Sequence, residues 1–431
     1  MKYYKKITVL AAIAVASAGS LLAQNQSSPY SRYGYGMMSD FVTSAQRNMG
    51  GVGVAMADSR QVNVMNPASY ASSDSLTLHW DIGLDLTQLK TSEAGGTGKA
   101  FGGGLDYMTF QFPLTKYMGG SIGLIPYTTV GYSFGNDLKV TNGTTEQSTS
   151  LSGYGGINDL YIGVGARPIG GLSVGLNFGY QFGTIVNDQY VVSSTSAVYE
   201  QKIEVRDWDM LIGLQYTYPF AKKHQLTLGF TYAPKKDMHG HTYGVKYDAT
   251  GDVSSTSGST KPDTIGNYRL QDLGYSRPNS YSVGLNYQFD HRLTVEADFS
   301  LQQWSKASFP GITRESTNEV IYQTKFDDRY KVAVGAQYVP RTRGNYFQRI
   351  AYRIGGSYTR DYLMIGSNHL KEYGVSCGFG LPTTAQKTVI NLGFEYKRRQ
   401  ATPSSLVTEN YFNVTLGINF KEFAFWKDKI R

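Results

Sequence analysis

Histidines are the residues of this 431-residue sequence best suited to chemistry, and the six present form no catalytic set. His239 and His241 stand two residues apart in "DMHGH", but two loop histidines alone are a weak signal for a metal site. His79 stands near Asp81 with no nucleophile placed beside them. We therefore predict no catalytic residue, no metal site and no enzymatic activity.

Other features that could bind a cofactor or nucleic acid are also weak. The glycine-rich piece "GGVGVAMAD" neither follows a buried strand nor opens a helix, so we predict no nucleotide site and no cofactor. The formal charge is +8, but no basic cluster is interleaved with aromatic residues, so we predict no nucleic-acid partner. Cys377 is the single cysteine, which excludes an intramolecular disulfide framework.

The first 23 residues are typical of a secretory signal peptide. Lys2, Lys5 and Lys6 form a basic region, and the apolar stretch "ITVLAAIAVASAGSLLA" ends in small residues. We predict cleavage near Ala23. A membrane anchor is the alternative, but it does not explain the small residues.

The elements of the remaining chain are predicted by apolar residues at every second position. In 172–182, Leu, Val, Leu, Phe, Tyr and Phe alternate with Ser, Gly, Asn, Gly and Gln. The runs 226–232, 281–289 and 412–420 repeat this pattern. Since successive side chains of a strand face opposite ways, each strand has one apolar face and one small, polar face.

The number and spacing of these runs predict a transmembrane barrel rather than a soluble sheet. We predict fourteen strands, near 76–89, 104–114, 119–135, 157–168, 171–187, 198–219, 225–236, 274–289, 292–305, 324–340, 349–361, 370–381, 388–399 and 408–420. Short connections alternate with long ones, such as 90–103 and 237–273. An even number of strands with short periplasmic turns and long outer loops is typical of outer-membrane barrels. The predicted fold class is all-β, an antiparallel barrel over residues 75–420 in the outer membrane of a Gram-negative bacterium.

A barrel of fourteen strands encloses more space than its own side chains fill. Alternation places several charges inward, since charge on the lipid face would cost about 2–4 kcal/mol at the midplane for Arg or Lys. These residues are Asp81, Asp85, Arg167, Glu296, Asp298, Lys331, Arg353 and Glu395.

The segment 24–74 is too short for a domain with its own sizeable core, and we predict that it folds into the lumen as a plug. Arg32, Arg47 and Arg60 would then meet inward acids. A flexible periplasmic tail is the alternative. Residues 421–431 are predicted to form a short periplasmic tail after the last strand.

The sequence "RNMGGVGVAMADSRQVNVMNPASY" resembles the N-terminal signature of the FadL family of outer-membrane transporters for long-chain fatty acids and other hydrophobic compounds. The matching positions are Met49, Gly50, Gly51, Gly53, Ala57, Asp58, Asn66, Pro67 and Ala68. The resemblance implies a fourteen-stranded barrel with an N-terminal hatch. It also implies a third strand that is kinked inward and opens a gap in the wall, through which apolar substrates leave sideways into the membrane.

A proline in the third predicted strand fits that expectation. Pro126 has no N–H to donate to a sheet ladder, so it belongs at an edge or a bulge. We predict that it marks the lateral opening, with Ile125, Tyr127 and Thr129 facing inward beside it. The alternative is an ordinary bulge that adjusts the shape of the barrel.

The sequence therefore predicts a channel for hydrophobic small molecules, with outer-membrane lipid and an apolar ligand as its partners. The loops 136–156 and 237–273 are mainly Ser, Thr, Gly and Asp, which does not suit an apolar ligand groove. An alternative is therefore a plugged barrel that acts as a scaffold or accessory subunit for an outer-membrane protein partner. Some FadL-like barrels, such as the PorV-type component of type IX secretion, have protein partners. A nonspecific porin is disfavoured by the segment 24–74.

Overall fold

A computed structural model describes residues 28–74, 77–93, 95–135, 140–142, 145–192, 196–238, 240–248, 264–270, 275–309, 312–314, 319–322, 324–383 and 388–423. The predicted signal peptide and residues 424–431 of the predicted tail lie outside the described residues. Residues 421–423 belong to the last strand.

The described chain is dominated by strands. They are β1 (Met37–Met38), β2 (Thr77–Glu93), β3 (Gly96–Thr115), β4 (Met118–Phe134), β5 (Val140–Asn142), β6 (Thr145–Ile169), β7 (Leu172–Val192), β8 (Ser196–Ala221), β9 (His224–Ala233), β10 (Lys236–Met238), β11 (Gly240–Asp248), β12 (Thr264–Leu270), β13 (Tyr275–Arg277), β14 (Ser280–Phe289), β15 (Leu293–Gln302), β16 (Ile312–Arg314), β17 (Glu319–Tyr322), β18 (Lys325–Phe326), β19 (Arg329–Tyr338), β20 (Ala351–Ile365), β21 (Asn368–Pro382), β22 (Thr388–Thr402) and β23 (Thr408–Phe423). Short helices are α1 (Ser44–Arg47), α2 (Tyr346–Arg349) and the 3-10 turns Pro29–Arg32, Pro67–Ser72 and Trp304–Lys306.

Fourteen strands close one antiparallel barrel, which confirms the predicted fold class. Around the barrel they follow the order β2, β3, β4, β6, β7, β8, β9, β14, β15, β19, β20, β21, β22 and β23, and β23 pairs with β2 to close the ring. Closure removes the free edges that hydrocarbon cannot satisfy. None of the helices in the described ranges is long and apolar enough to cross a membrane.

The two faces of the wall follow the alternation predicted from the sequence. On β7, the polar side chains of Asn177 and Gln181 are only 3% and 1% exposed, whereas Leu176 and Phe178 are 40% and 45% exposed. The exposed apolar face suits lipid, and the polar face lines the lumen. We assign the end with the short turns to the periplasm.

The strands run further than predicted, which corrects three of the expected outer loops. Within the expected loop 136–156, β5 spans Val140–Asn142 and β6 begins at Thr145. Within the expected loop 90–103, the chain is strand up to Glu93 and again from Gly96. Within the expected loop 237–273, β11 pairs with β8 over nine residues, from Gly240↔Val205 to Asp248↔Ala197. Only about 9–11 residues are needed to cross a bilayer, but β8 has 26. Backbone hydrogen bonding extends the sheet beyond the membrane, and polar side chains do not stop it.

Candidate functional site

The wall of the barrel is interrupted between its second and third strands. Pairing of β3 with β4 runs from Thr115↔Met118 to Met108↔Leu124 and ends there. Both strands continue, β3 from Gly96 and β4 to Phe134. Residues 96–107 and 125–134 are therefore not paired with each other, and we call this stretch the wall gap.

Each side of the wall gap carries a β-bulge. On β4 the register with β6 shifts between Pro126 and Thr128, leaving Tyr127 without a partner. On β3 the register with β2 shifts opposite Gly83 and Leu84, so that Asp106 has no opposite residue on β2. A bulge bends its strand and increases the local twist. Pro126 thus lies beside a bulge, at the height where pairing with β3 has ended.

Residues 28–74, called here the N-terminal segment, cover the wall gap. Met37 and Met38 of β1 pair antiparallel with Thr129 and Thr128. The Ser39 N–H donates to the Tyr127 carbonyl at 3.0 Å. Across the gap, Arg47 of α1 forms an ion pair of 2.7 Å with Asp106. The segment therefore bonds to both sides of the wall gap.

The four residues predicted to line the passage lie at the wall gap but in different surroundings. Ile125 is buried in an apolar cluster with residues of the segment, among them Val62. The ring of Tyr127 lies under the Arg277 guanidinium, 4.9 Å from its centroid. Pro126 and Thr129 border a cavity of about 70 Å³.

That cavity is mainly charged rather than apolar. It is lined by Met37, Met38, Asp40, Arg47, Asp106, Asp361, Glu372, Lys397, Arg399 and several neighbours. A second cavity of about 170 Å³ mixes apolar with charged residues, including Phe41, Tyr127, Asp159 and Arg277. In this state, neither space is a continuous apolar path.

One carboxylate of the segment is held by three cations of the wall. The Asp40 carboxylate lies 2.8 Å from Lys331, 3.2 Å from Lys397 and 3.7 Å from Arg329. Burial alone would raise the pKa of Asp40, but these cations hold it well below its ordinary value. The cluster fixes the segment directly behind the wall gap.

The glycines of the family signature let the segment present backbone N–H groups to the wall. Gly53 and Val54 donate to one Asp298 oxygen at 2.7 and 3.0 Å, and Ala55 donates to Glu296 at 2.8 Å. The first of these glycines, Gly50, has a φ of +76°. Such a conformation strains other residues. Neighbouring Gly51 has a φ of +79°, and Met49 is fully buried.

The remaining signature residues stabilise the second half of the segment. Asn66 caps the 3-10 turn that begins at Pro67: its side chain accepts from the Ala68 N–H at 3.0 Å. Asp58 accepts two hydrogen bonds from the Arg60 guanidinium at 2.9 and 2.7 Å. Burial opposes ionisation of Asp58, but Arg60 lowers its pKa to about 2. Ala57 is half-buried near the periplasmic end.

Of the predicted contacts between segment arginines and wall acids, that of Arg47 forms and that of Arg60 does not. Arg60 pairs with Asp58 within the segment and not with a wall acid. Arg47 does meet a wall acid, but that acid, Asp106, sits in a bulge that simple alternation does not place.

A ring of inward-facing glycines makes room for the segment, and sequence reasoning did not single it out. A Cβ added at Gly175 would lie 2.2 Å from the carbonyl carbon of Pro67, and one at Gly229 would lie 2.1 Å from the Val54 oxygen. An added Cβ would also lie too close to a residue between Ser44 and Ala71 at eight further glycines: Gly165, Gly213, Gly284, Gly335, Gly355, Gly378, Gly393 and Gly417. The signal was available as glycine at inward positions of many strands.

At the outer end, aromatic side chains pack over the segment. Tyr35 is 1% exposed and lies 5.6 Å from Trp304 and 5.0 Å from Phe309, measured between ring centroids. Tyr362 donates to the Gly36 carbonyl at 2.5 Å. These contacts pack the outer end of the segment against the wall.

The histidines give no catalytic geometry in the described residues. His79 is buried, 3.5 Å from the hydroxyl of Thr77. His239 lies outside the described residues. Within the described ranges, no group of three or more His, Cys, Asp and Glu side chains could hold a metal ion.

Solved structures of similar fold are hydrocarbon channels and FadL relatives. They include the Pseudomonas aeruginosa FadL homologue (TM-score 0.62, 16% identity, 89% of this chain and 99% of that chain) and the P. putida toluene transporter TodX (TM-score 0.62, 15% identity, 90% and 100%). The CymD monoaromatic hydrocarbon channel has a TM-score of 0.59 at 14% identity, over 89% and 98% of the two chains. No curated protein matches the sequence. At these identities the likeness establishes the fold alone.

The closed barrel is of the FadL type, which confirms the predicted fold. Its exposed apolar outer face is the face that an outer-membrane barrel turns to lipid, in agreement with the predicted location. The BamG family matches residues 3–431 of the sequence, and the chain belongs to this family.

Proposed function

We propose that this protein is an outer-membrane channel for hydrophobic small molecules, with lateral exit at the wall gap. The observation that carries the proposal is the end of β3–β4 pairing at Met108↔Leu124, because both strands continue beyond it without a shared ladder. Irregular backbone at membrane depth is tolerated where it lines a cavity. The names of the similar structures, a toluene transporter and a monoaromatic hydrocarbon channel, support the same ligand class and a non-enzymatic role.

Lateral exit suits an apolar ligand on physical grounds. A straight aqueous path would leave such a molecule in the periplasm, whereas entry into hydrocarbon gains about 0.8 kcal/mol per buried CH₂. Long-chain fatty acids and monoaromatic hydrocarbons both belong to this ligand class.

In this proposal the N-terminal segment is the hatch. Its residues Met37, Met38 and Ser39 bond to β4, and Arg47 bonds to Asp106 of β3. Passage of a ligand through the wall gap therefore requires these contacts to open. Protection of residues 28–74 from protease in intact outer membranes supports the hatch, and rapid trimming counts against it.

The test compares uptake of a radiolabelled apolar compound by cells that carry wild type or Pro126→Val. Pro113→Val is the matched control, because Pro113 also lies within a barrel strand but in the paired part of β3. We expect the rate of uptake to be the same for wild type and Pro113→Val, and to be changed in Pro126→Val. Uptake no greater than in cells lacking the protein refutes the channel.

A second function is favoured by the charged, closed interior. The cavity behind the wall gap is about 70 Å³ and mostly polar, and the segment is bonded to both sides of the gap. A barrel that stays closed would serve as a scaffold or accessory subunit of an outer-membrane secretion or assembly complex. Purification in mild detergent separates the two functions: a stoichiometric protein partner without bound lipid favours the scaffold, and a lone barrel with bound apolar molecules favours the channel.

A further inference from the structure

A separate pocket at the periplasmic end of the barrel is rich in arginine. It has a volume of about 270 Å³ and lies between the Arg60 turn of the segment and the periplasmic ends of β19, β20, β21 and β22. We call it the arginine pocket; its lining includes Arg60, Gln61, Gln337, Arg349, Arg353 and Asn391. It shares no lining residue with the cavity that Pro126 and Thr129 border.

Arg353 in this pocket is buried and forms no ion pair with the described residues. It is 6% exposed, and its guanidinium donates to two neutral oxygens, of Gln337 at 2.7 Å and of Asn391 at 2.6 Å. Across the part of the chain that the structure describes, no carboxylate forms an ion pair with it. Burying an unpaired charge is costly, because it loses its hydration.

Two carboxylates act on Arg353 electrostatically, and both make their hydrogen bonds elsewhere. Asp58 is held by both nitrogens of the Arg60 fork. Asp81 accepts from the Tyr107 hydroxyl at 2.7 Å and from the Asn419 amide at 3.0 Å. Both act on the charge of Arg353 from a distance, but neither forms an ion pair with it among the described residues.

The pocket leaves space and further donors beside that guanidinium. A Cβ added at Gly380 would lie 3.0 Å from a terminal nitrogen of Arg353, so glycine keeps this side open. The buried Nε of Arg349 has no hydrogen-bond partner among the described residues. A water molecule occupies about 30 Å³ of liquid, so the pocket has room for a phosphate group and several waters.

We propose that the arginine pocket binds a phosphate group, with Arg353 as the main contact and Arg349 as the second. The planar guanidinium fork matches phosphate oxygens in pairs. The bound group would supply the direct ion pair that Arg353 lacks. Two sources carry this chemistry: free phosphate or its esters in the periplasm, and the headgroup of an anionic phospholipid. The second source is close at hand, because the neighbouring α2 exposes Phe347 by 71%, as expected of a residue at the lipid interface.

The test measures binding of inorganic phosphate to the purified full-length protein in zwitterionic detergent, by calorimetry and thermal unfolding at constant ionic strength set with sodium chloride. We expect saturable binding by wild type, at least a tenfold loss of affinity in Arg353→Gln, and an intermediate loss in Arg353→Lys. Arg341→Gln is the matched control, because Arg341 is exposed on the adjoining turn, and it should bind like wild type.

The same variants separate a binding role from a structural one. Since Arg353 is unpaired, Arg353→Gln should unfold at the same temperature as wild type, or higher, when phosphate is absent. A second measurement compares the unfolding temperature in nanodiscs of phosphatidylcholine alone with that in nanodiscs that also contain phosphatidylglycerol. If phosphatidylglycerol stabilises wild type but not Arg353→Gln, the lipid headgroup is the source. If phosphatidylglycerol does not stabilise wild type but inorganic phosphate binds, the soluble phosphate is the source. Equal stabilisation by chloride and phosphate, or unchanged binding by Arg353→Gln, overturns the proposal.

Discussion

Docking of the N-terminal segment depends on Gly175 having no side chain. Gly175 is on the inner face of β7, and an added Cβ would lie 2.2 Å from the carbonyl carbon of Pro67 and 2.4 Å from the nitrogen of Ala68. Both contacts are with backbone, which cannot rotate away. Gly175→Ala is therefore expected to push the segment from the wall while leaving the lipid-facing side of the barrel unchanged.

The size of this effect follows from the overlap. Real Cβ atoms essentially never approach another heavy atom within 3.0 Å, so the segment must move by most of an ångström or more. Overpacking costs about 1–3 kcal/mol. Because the opposing atoms are backbone, we expect a value near the upper end, which raises the open population of the segment about hundredfold.

Hydrogen–deuterium exchange of residues 62–72 in detergent-purified protein measures that population. Gly170→Ala is the matched control, because nothing lies within 4 Å of a Cβ added there. We expect faster exchange in Gly175→Ala and wild-type exchange in Gly170→Ala. Equal exchange in all three proteins refutes the docked position of the segment.

Three further predictions concern the charges that hold the segment. Asp40→Asn leaves the cations of its cluster without their shared partner and should destabilise docking of the segment by about 3 kcal/mol. The expected result is faster exchange of residues 37–42, and Asp290→Asn, in a half-exposed turn outside the segment, is the control. Folding lowers the pKa of both Asp40 and Asp58, that of Asp58 from 3.8 to about 2. The two carboxylates therefore stabilise the docked segment fully at pH values above the ordinary Asp pKa, and this stabilisation is lost as pH falls towards about 2. Pepsin digestion should accordingly release the segment only below about pH 4, and cleavage that does not depend on pH in this range would contradict it. Asp298→Asn weakens the acceptor of two N–H groups and should raise exchange at residues 53–55, whereas unchanged exchange there would show that this contact contributes little.

The barrel could be predicted because its strands follow a local rule. The run 281–289 alternates Tyr, Val, Leu, Tyr and Phe with small and polar residues, and the structure places it in β14. The outer loops were predicted less well. Residues 90–103 look like a polar loop, but a backbone ladder needs no apolar side chains once it leaves the membrane, so the strands continue.

The contacts of the segment could not be predicted in the same way. Gly53 donates to Asp298, which is 245 residues away, and only the closed barrel brings them together. Asp106 lies in a bulge, and one inserted residue reverses the inward and outward sides of the strand around it. The proline at 126 did indicate an irregular strand, but the sequence could not show that pairing with β3 ends two residues earlier, at Leu124.

The most direct test of lateral exit is to fix the segment across the wall gap. Met37 and Thr129 are direct antiparallel partners, and such pairs have Cα atoms about 4.5–5.5 Å apart, within the range that a disulfide spans. Met37→Cys with Thr129→Cys, in a Cys377→Ala background, would hold the segment against β4. Thr217→Cys with Thr227→Cys is the control, since these two residues face each other within the paired wall.

The measurement is uptake of a radiolabelled apolar compound by cells before and after reduction of the disulfide. We expect that the oxidised Met37–Thr129 protein does not transport, that reduction restores transport, and that the control pair transports in both states. Equal transport by the oxidised and reduced Met37–Thr129 protein would contradict exit through the wall gap.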